Sequence, residues 1–252
     1  MTDLIIPPGK KIGCLPRERT PHDVCRLYRD QFTVYSVDDL VDRIKEIHDI
    51  TNGQGLKQFV GSIYNQNGRR SCAAESACGC LSALRVSEGQ EWQEFNPWPT
   101  YKVSGGGGDN GSTLYDNLVT LQRHGAYRTA LWPRYDANGN IVHDYRETPS
   151  QEATDDAKRY RLGEFWELEN VGELASAYVD GFGCPFGWQG HSCWIPYIRP
   201  PTTNNASQWQ ATYCNSWHAS WGDNGYGTIR LSEINWGYQA FAYRTSATWN
   251  ET

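Results

Sequence analysis

The chain has 252 residues, of which 38% are hydrophobic and 21% are charged. That length suits one large domain or two lobes that share a cleft, with enough residues to bury a core. The net charge of -6 and the lack of a long basic run argue against a nucleic-acid partner. No segment approaches the roughly 20 apolar residues that span a bilayer, so we expect no membrane partner.

The N-terminus has only the short apolar run LII, which Pro7 and Pro8 interrupt. A secretory signal needs a charged start and about 7–15 apolar residues, so we find no signal peptide and expect synthesis in a cytoplasm without classical secretion. In a reducing compartment the eight cysteines are expected to be mainly free, buried thiols and not a disulfide framework.

The first 30 residues are rich in Pro, Lys and Arg and predict an irregular extension on the surface. Apolar side chains at helical spacing predict a helix over Val37–Ile50, for which Ser36 is the expected N-cap. TNGQG ends this helix. We therefore divide the chain into an N-terminal extension or arm, 1–55, and a main domain, 56–252.

Two more helices and a glycine-rich loop follow. Apolar residues at helical spacing predict helices over about 72–86 and 113–123. GGGGDNGS at 105–112 lies between them and is typical of a loop whose backbone another chain can approach closely. DANGN at 136–140 predicts a hairpin turn and not a calcium loop, because the distal Glu of such a loop is absent.

The second half of the chain changes its period. Five short runs are apolar or alternating and are separated by Gly, Pro and Asn, which is typical of strands: CPFGWQ, HSCWIPYI, WQATYCNSW, YGTIRLSE and AFAYRT. Helices followed by strands predict an α+β protein. We expect a helical lobe over about 56–165 and a β lobe over about 166–245.

Four residues have the order and contexts that thiol-nucleophile hydrolysis requires. Gln66 precedes Cys72 by six residues, and His191 and Asn215 follow far downstream. Cysteine attacks as its thiolate, and at the start of a helix Cys72 would meet the positive end of the helix dipole. His191 is the expected general base, and the Asn215 carbonyl would orient its imidazole. Gln66 and the backbone N–H of Cys72 would donate to the oxyanion.

Charged neighbours are expected to modify the thiol. Arg69 and Arg70 would add positive charge beside Cys72, whereas Glu75 in the first helical turn would oppose them if it faces the thiol. A zinc site around His191 lacks the closely spaced Cys or His pairs that such sites use, so we predict no metal. Thiol hydrolysis needs no organic cofactor either.

These fragments, in this order, resemble the motifs of the papain family of cysteine peptidases. NQNGRRSCAA around Gln66 and Cys72 is similar to the pattern N-Q-G-x-x-x-S-C-x-A, and a glycine precedes His191 as in that family. NSWHASWGDNGY, which begins at Asn215, is similar to N-S-W-G-x-x-W-G-x-x-G-Y. The matching motifs span about residues 60–235.

The resemblance implies a two-lobe α+β fold, in which a helical lobe carrying the nucleophile helix packs against a β-barrel-like lobe. It also implies that the glycine run forms one wall of the substrate groove, with Gly106, Gly107 and Gly108 presenting backbone to an extended polypeptide. Trp217 is implied to shield the His191–Asn215 hydrogen bond from water at the edge of the substrate site.

The chain departs from the family pattern at several positions. Ala73 stands where a tryptophan commonly follows the nucleophile, and Arg69 stands where a disulfide-forming cysteine is usual. These departures disfavour the extracellular, disulfide-bonded branch and favour a divergent microbial or viral one. The first 55 residues are too few for the usual inhibitory propeptide.

We therefore predict a papain-like cysteine peptidase that cuts peptide or isopeptide bonds. The alternative is a structural or interaction protein that keeps this fold with little or no catalysis, such as a component of a viral particle or virion. In that case the N-terminal arm would contact other subunits of an assembly. Reaction of Cys72 with a thiol-directed epoxide or iodoacetamide would distinguish the two hypotheses.

Overall fold

A computed structural model describes residues 4–17 and 25–245 of the chain. Its α-helices, in chain order, are α1 Val37–Ile50, α2 Cys72–Ser87, α3 Trp98–Ser104, α4 Leu114–His124, α5 Gln151–Ala157 and α6 Val171–Val179. Its strands are β1 Cys14–Leu15, β2 Phe95–Asn96, β3 Ser112–Thr113, β4 Tyr127–Arg128, β5 Leu162–Leu168, β6 Cys184–Trp188, β7 His191–Ile198, β8 Gln210–Cys214, β9 Tyr226–Arg230 and β10 Ala240–Thr245.

A six-stranded antiparallel sheet forms the second half of the molecule, with the strand order β5-β10-β6-β7-β8-β9. Strand β7 lies near its centre between β6 and β8, and all of its residues are buried. Helix α2 packs against β7, and every residue from Cys72 to Arg85 is buried. A helix buried on all sides is held by packing, so its N-terminus is fixed against the sheet.

Two large apolar clusters lie beside the sheet. One surrounds α2 and α4 and includes Leu81, Leu84 and Leu118. The other joins α6 to the opposite part of the sheet and also takes in Leu40 and Ile44 of α1. The second half of the predicted N-terminal extension therefore packs into the core with α6.

The predicted elements agree with this structure in most places. Helix α1 has the predicted bounds, and the Ser36 hydroxyl accepts from the backbone N–H of Asp39 as expected for an N-cap. The hairpin turn at 136–140 is present, since the Asp136 N–H donates to the Asn140 carbonyl. The sequence patterns did not predict α3, α5, α6 or β5. In the described ranges, no helix combines the length and apolar character needed to cross a membrane.

Candidate active site

Cys72 is the first residue of α2 and is fully buried. The preceding residue, Ser71, does not cap the helix with its side chain; its hydroxyl donates to Glu75 Oε1 over 3.1 Å. In the first turn, the backbone N–H of Ala73 is within hydrogen-bonding range of the Cys72 sulfur. This is the position in which a helix best stabilises a thiolate or an oxyanion.

His191 begins β7 and lies under Trp217. Its Nε2–H donates to Asn215 Oδ1 over 2.7 Å, because an amide oxygen can only accept. The Trp217 ring stacks on the imidazole with 4.5 Å between ring centroids, and Trp217 is 1% exposed. The hydrogen bond to Asn215 fixes the tautomer and leaves the lone pair on Nδ1, as a general base requires.

The Asn215 side chain is itself held in place. Its Oδ1 also accepts from the backbone N–H of Ser216 over 2.7 Å. The Ser216 hydroxyl donates to Gln66 Oε1 over 2.8 Å, and the Gln66 backbone N–H donates to the Ser216 carbonyl over 2.9 Å. The loop that carries Gln66 is thus joined to the loop that carries Asn215, and the two amides have a fixed relation across the cleft.

Residues 10–15 of the N-terminal extension run through the cleft above Cys72. The Gly13 carbonyl accepts from the Ser112 N–H over 2.9 Å, and the Cys14 N–H donates to the Gly190 carbonyl over 2.8 Å. The segment therefore bridges the glycine-rich loop on one side and the residue before His191 on the other. We call residues 10–15 the cleft segment; it lies in the cleft, whereas the sequence predicted a surface extension.

The cleft segment occupies the expected oxyanion donor. Gln66 Nε2 donates to the Lys11 carbonyl over 2.9 Å and also to the carbonyl of Arg69. The Lys11 ammonium donates to Asp109 Oδ2 over 3.2 Å. The Lys11 carbonyl is therefore already bonded to the side-chain amide of Gln66, which the sequence predicts to be an oxyanion donor.

Burial sets the protonation of the two reactive groups. It raises the pKa of the Cys72 thiol to about 11, although the N–H groups of Ser192, Gly13, Ala73 and Cys14 oppose the shift. It lowers the pKa of the His191 imidazole to about 4, against a smaller opposing effect of Asn215. Among the described residues, nothing hydrogen-bonds to His191 Nδ1. The closed site therefore holds a neutral thiol and a neutral imidazole.

The charged neighbours of Cys72 point elsewhere. Arg69 pairs with Asp144 over 2.7 Å, and Arg70 is exposed. The Glu75 carboxylate faces Arg134, whose Nη1 lies 3.0 and 3.1 Å from its two oxygens. The expected opposing effects of the arginines and Glu75 on the Cys72 thiol are therefore absent from this site, and burial is the main cause of the shift in the thiol pKa.

The glycine run contacts the cleft segment at its end. Gly106 and Gly107 form a turn after α3, and a Cβ added to either would meet nothing within 4 Å. A Cβ on Gly108 would meet the side chain of Asn110. Gly111 instead packs on the cleft segment, where an added Cβ would collide with the Gly13 carbonyl. The sequence did not single out Gly111 or Asp109, and the only signal for them was membership of the same run.

The remaining candidates lie outside the site. Seven cysteines are buried free thiols, namely Cys14, Cys72, Cys78, Cys80, Cys184, Cys193 and Cys214, and the last two lie in the sheet. In the part of the chain that the structure describes, no group of three or more His, Cys, Asp and Glu side chains could hold a metal ion.

The burial of His191 predicts an acid-dependent loss of stability. Its folded pKa of about 4 lies below the ordinary 6.5, so the unfolded chain binds more protons between these values. The stabilisation is complete above pH 6.5 and is lost as the pH falls towards 4, by about 3 kcal/mol. Urea unfolding measured from pH 7 to 4 should show that the free energy of unfolding declines less for His191→Gln than for the wild type. The exposed-site control His124→Gln should follow the wild-type curve, and equal curves for all three proteins would contradict the prediction.

Known structures share this architecture. No protein-family model matches the chain, and no curated protein matches it. Among solved structures, xylellain, a cysteine protease from Xylella fastidiosa, superposes with a TM-score of 0.68 at 15% identity, covering 97% of this chain and all of that one.

Two proforms from other organisms also superpose. The Amb a 11 cysteine protease, a ragweed pollen allergen, gives a TM-score of 0.59 at 17% identity over 75% of this chain and 64% of that one. Digestive procathepsin L 3 of Tenebrio molitor gives 0.57 at 12% identity over 75% and 68%. The α+β fold predicted from the sequence is confirmed by these likenesses. The chain has the papain-like fold of cysteine proteases.

Proposed function

We propose that this protein is a cysteine peptidase that hydrolyses peptide or isopeptide bonds. Cys72 is the nucleophile, His191 the general base and acid, Asn215 the residue that orients it and Gln66 an oxyanion donor. The observation that carries the proposal is the 2.7 Å bond from His191 Nε2 to Asn215 under Trp217, which leaves a buried lone pair on Nδ1. A structural histidine would normally use both of its nitrogens.

The reaction follows from these groups once the cleft is open. His191 Nδ1 takes the thiol proton, and the Cys72 sulfur attacks the substrate carbonyl carbon. The oxyanion receives hydrogen bonds from Gln66 Nε2 and from the Cys72 N–H at the start of α2. His191 then gives its proton to the leaving amine, and a water molecule activated by the same nitrogen hydrolyses the thioester.

A polypeptide substrate is supported by the cleft segment itself, which is polypeptide bound through its backbone to both sides of the cleft. The backbone N–H groups of Gly13 and Cys14 lie near the Cys72 sulfur, where the carbonyl carbon of a scissile bond would have to lie, and the Cys14 N–H donates to the Gly190 carbonyl. The segment therefore blocks the site without being a substrate, and its presence in the cleft restrains activity.

The test is covalent labelling of the full chain with a peptidyl epoxide. We expect a single adduct on Cys72, found by peptide mapping, and loss of fluorogenic-peptide hydrolysis in proportion to the adduct. Cys25→Ser, which changes a partly exposed thiol outside the site, should label as the wild type does. Labelling of Cys72 no faster than that of Cys25 in the variant Gly13→Leu, in which the cleft segment is displaced, together with no hydrolysis by that variant, would reject the peptidase and favour a binding protein with this fold.

A further inference from the structure

Cys14 has no role in the proposed peptide hydrolysis, yet it lies beside the nucleophile. It belongs to the cleft segment and is 2% exposed. Its backbone N–H is within hydrogen-bonding range of the Cys72 sulfur, and the two thiols lie in the same buried cluster. Five of the other six cysteines are buried in α2 or in the strands of the sheet, and Cys25 lies beyond the cleft segment.

The position of Cys14 is fixed from both sides. Its own N–H is bonded to the Gly190 carbonyl, and the preceding residue, Gly13, is bonded to Ser112. Cys14–Leu15 forms a parallel pair with Ser112–Thr113. Docking of the segment therefore brings Cys14, whose sulfur lies near the Leu114 N–H and interacts with Cys72, beside the nucleophile each time the cleft closes, which gives the pair a high effective concentration.

We propose that Cys14 is a redox modification site, at which a disulfide to Cys72 locks the cleft segment over the active site. The proposal rests on Cys72 being the reactive thiol of the proposed peptidase. Cys14 then acts as the resolving cysteine of that nucleophile, and the closed state exists in a reversible thiol form and a covalently locked disulfide form.

The chemistry needs a hydroperoxide as oxidant. When the segment opens, the Cys72 thiolate attacks hydrogen peroxide, forming an S–O bond and releasing hydroxide. When the segment returns, the Cys14 sulfur attacks the sulfenic sulfur; the S–S bond forms, the S–O bond breaks and water leaves. In total the two thiols lose two electrons and two protons, and one peroxide becomes two waters. A dithiol reductant restores both thiols by exchange.

The lock has a protective consequence that a simple inhibitor lacks. A sulfenic acid without a nearby thiol is oxidised further to sulfinic acid, which thiols cannot reduce. With Cys14 present, the oxidised nucleophile is trapped as a disulfide and remains recoverable. Oxidation should therefore be reversible in the wild type and irreversible without Cys14.

The experiment treats full-length wild type, Cys14→Ser, Cys14→Ala and the control Cys25→Ser with hydrogen peroxide. Non-reducing peptide mapping should find a Cys14–Cys72 disulfide in the wild type and in Cys25→Ser. Dithiothreitol should then restore hydrolysis in those two proteins and leave the two Cys14 variants at least about 10-fold lower, with sulfinic acid on Cys72.

Two outcomes would overturn the lock. The first is a peptide map in which Cys72 is joined to Cys193 or is in no disulfide at all, and the second is equal recovery of hydrolysis in all four proteins. The map is read independently of activity. A Cys14–Cys72 disulfide in a chain that hydrolyses no peptide would therefore reject the peptidase while leaving the cysteine pair established.

Discussion

Replacing Gly13 with leucine is expected to raise the rate at which Cys72 reacts with iodoacetamide at neutral pH by about 100-fold. A Cβ at position 13 would collide with the Arg70 carbonyl, and the Arg70 backbone is held by its N–H bond to Asp109 over 2.8 Å. The segment must therefore leave the cleft. Exposure removes the burial that raises the thiol pKa to about 11, and a return towards the ordinary 9.0 would increase the thiolate fraction at neutral pH by about two orders of magnitude.

The matched control is Ile5→Ala, which changes an exposed side chain on the same extension. It should label at the wild-type rate, and circular dichroism should show both variants folded. Hydrolysis of a fluorogenic peptide should increase together with labelling in Gly13→Leu. Unchanged labelling in a folded Gly13→Leu protein would mean that the cleft segment does not control access to Cys72.

Replacing Arg134 with methionine is expected to destabilise the fold by about 3–5 kcal/mol, because it leaves the Glu75 carboxylate buried without a counter-ion. The two side chains are 5% and 0% exposed, and burial already raises the pKa of Glu75 despite Arg134. Arg134 Nη1 also donates to the Asn65 carbonyl over 3.2 Å, next to Gln66. The pair therefore connects the start of α2 to the loop that carries Gln66.

A double-mutant cycle measures this effect. Arg134→Met should lower the free energy of unfolding far more than Arg128→Met, whose pair with Asp156 is partly exposed at 24% and 10%. The double variant Glu75→Gln, Arg134→Met should recover part of the loss, since it removes the buried charge. Equal costs for Arg134→Met and Arg128→Met would show that the buried pair has no special weight.

The sequence predicted the elements whose signals are local. Helix α1 has an apolar stripe and a capping serine, and β7 and β10 are short apolar runs bounded by turn residues, so their bounds could be predicted. Helix α6 was missed because it is buried on most sides and has no polar face to reveal its period. Strand β5 mixes buried and exposed residues without strict alternation, so its pairing with β10 decides its structure.

The residues of the site could be predicted from the sequence, but the closed state, in which the cleft segment covers them, could not. Motif order was enough to select Gln66, Cys72, His191 and Asn215, and the structure brings them around one cleft, where their catalytic roles remain proposals. The closed state depends on contacts between residues nearly a hundred positions apart, such as Gly13 with Ser112. A Pro- and Lys-rich segment carries no local sign of such a partner, so its place in the cleft was not predictable from composition.

Attachment of the cleft segment to the rest of the chain has a further consequence. An inhibitor in solution loses occupancy on dilution, whereas a tethered segment keeps the same local concentration, which reaches the millimolar range for short tethers. A free peptide substrate must compete with the tethered segment. Its apparent affinity is therefore its intrinsic affinity multiplied by the fraction of molecules whose cleft is open. A protein that binds the extension outside the cleft and displaces residues 10–15 would remove this competition. Dilution alone would not change the competition.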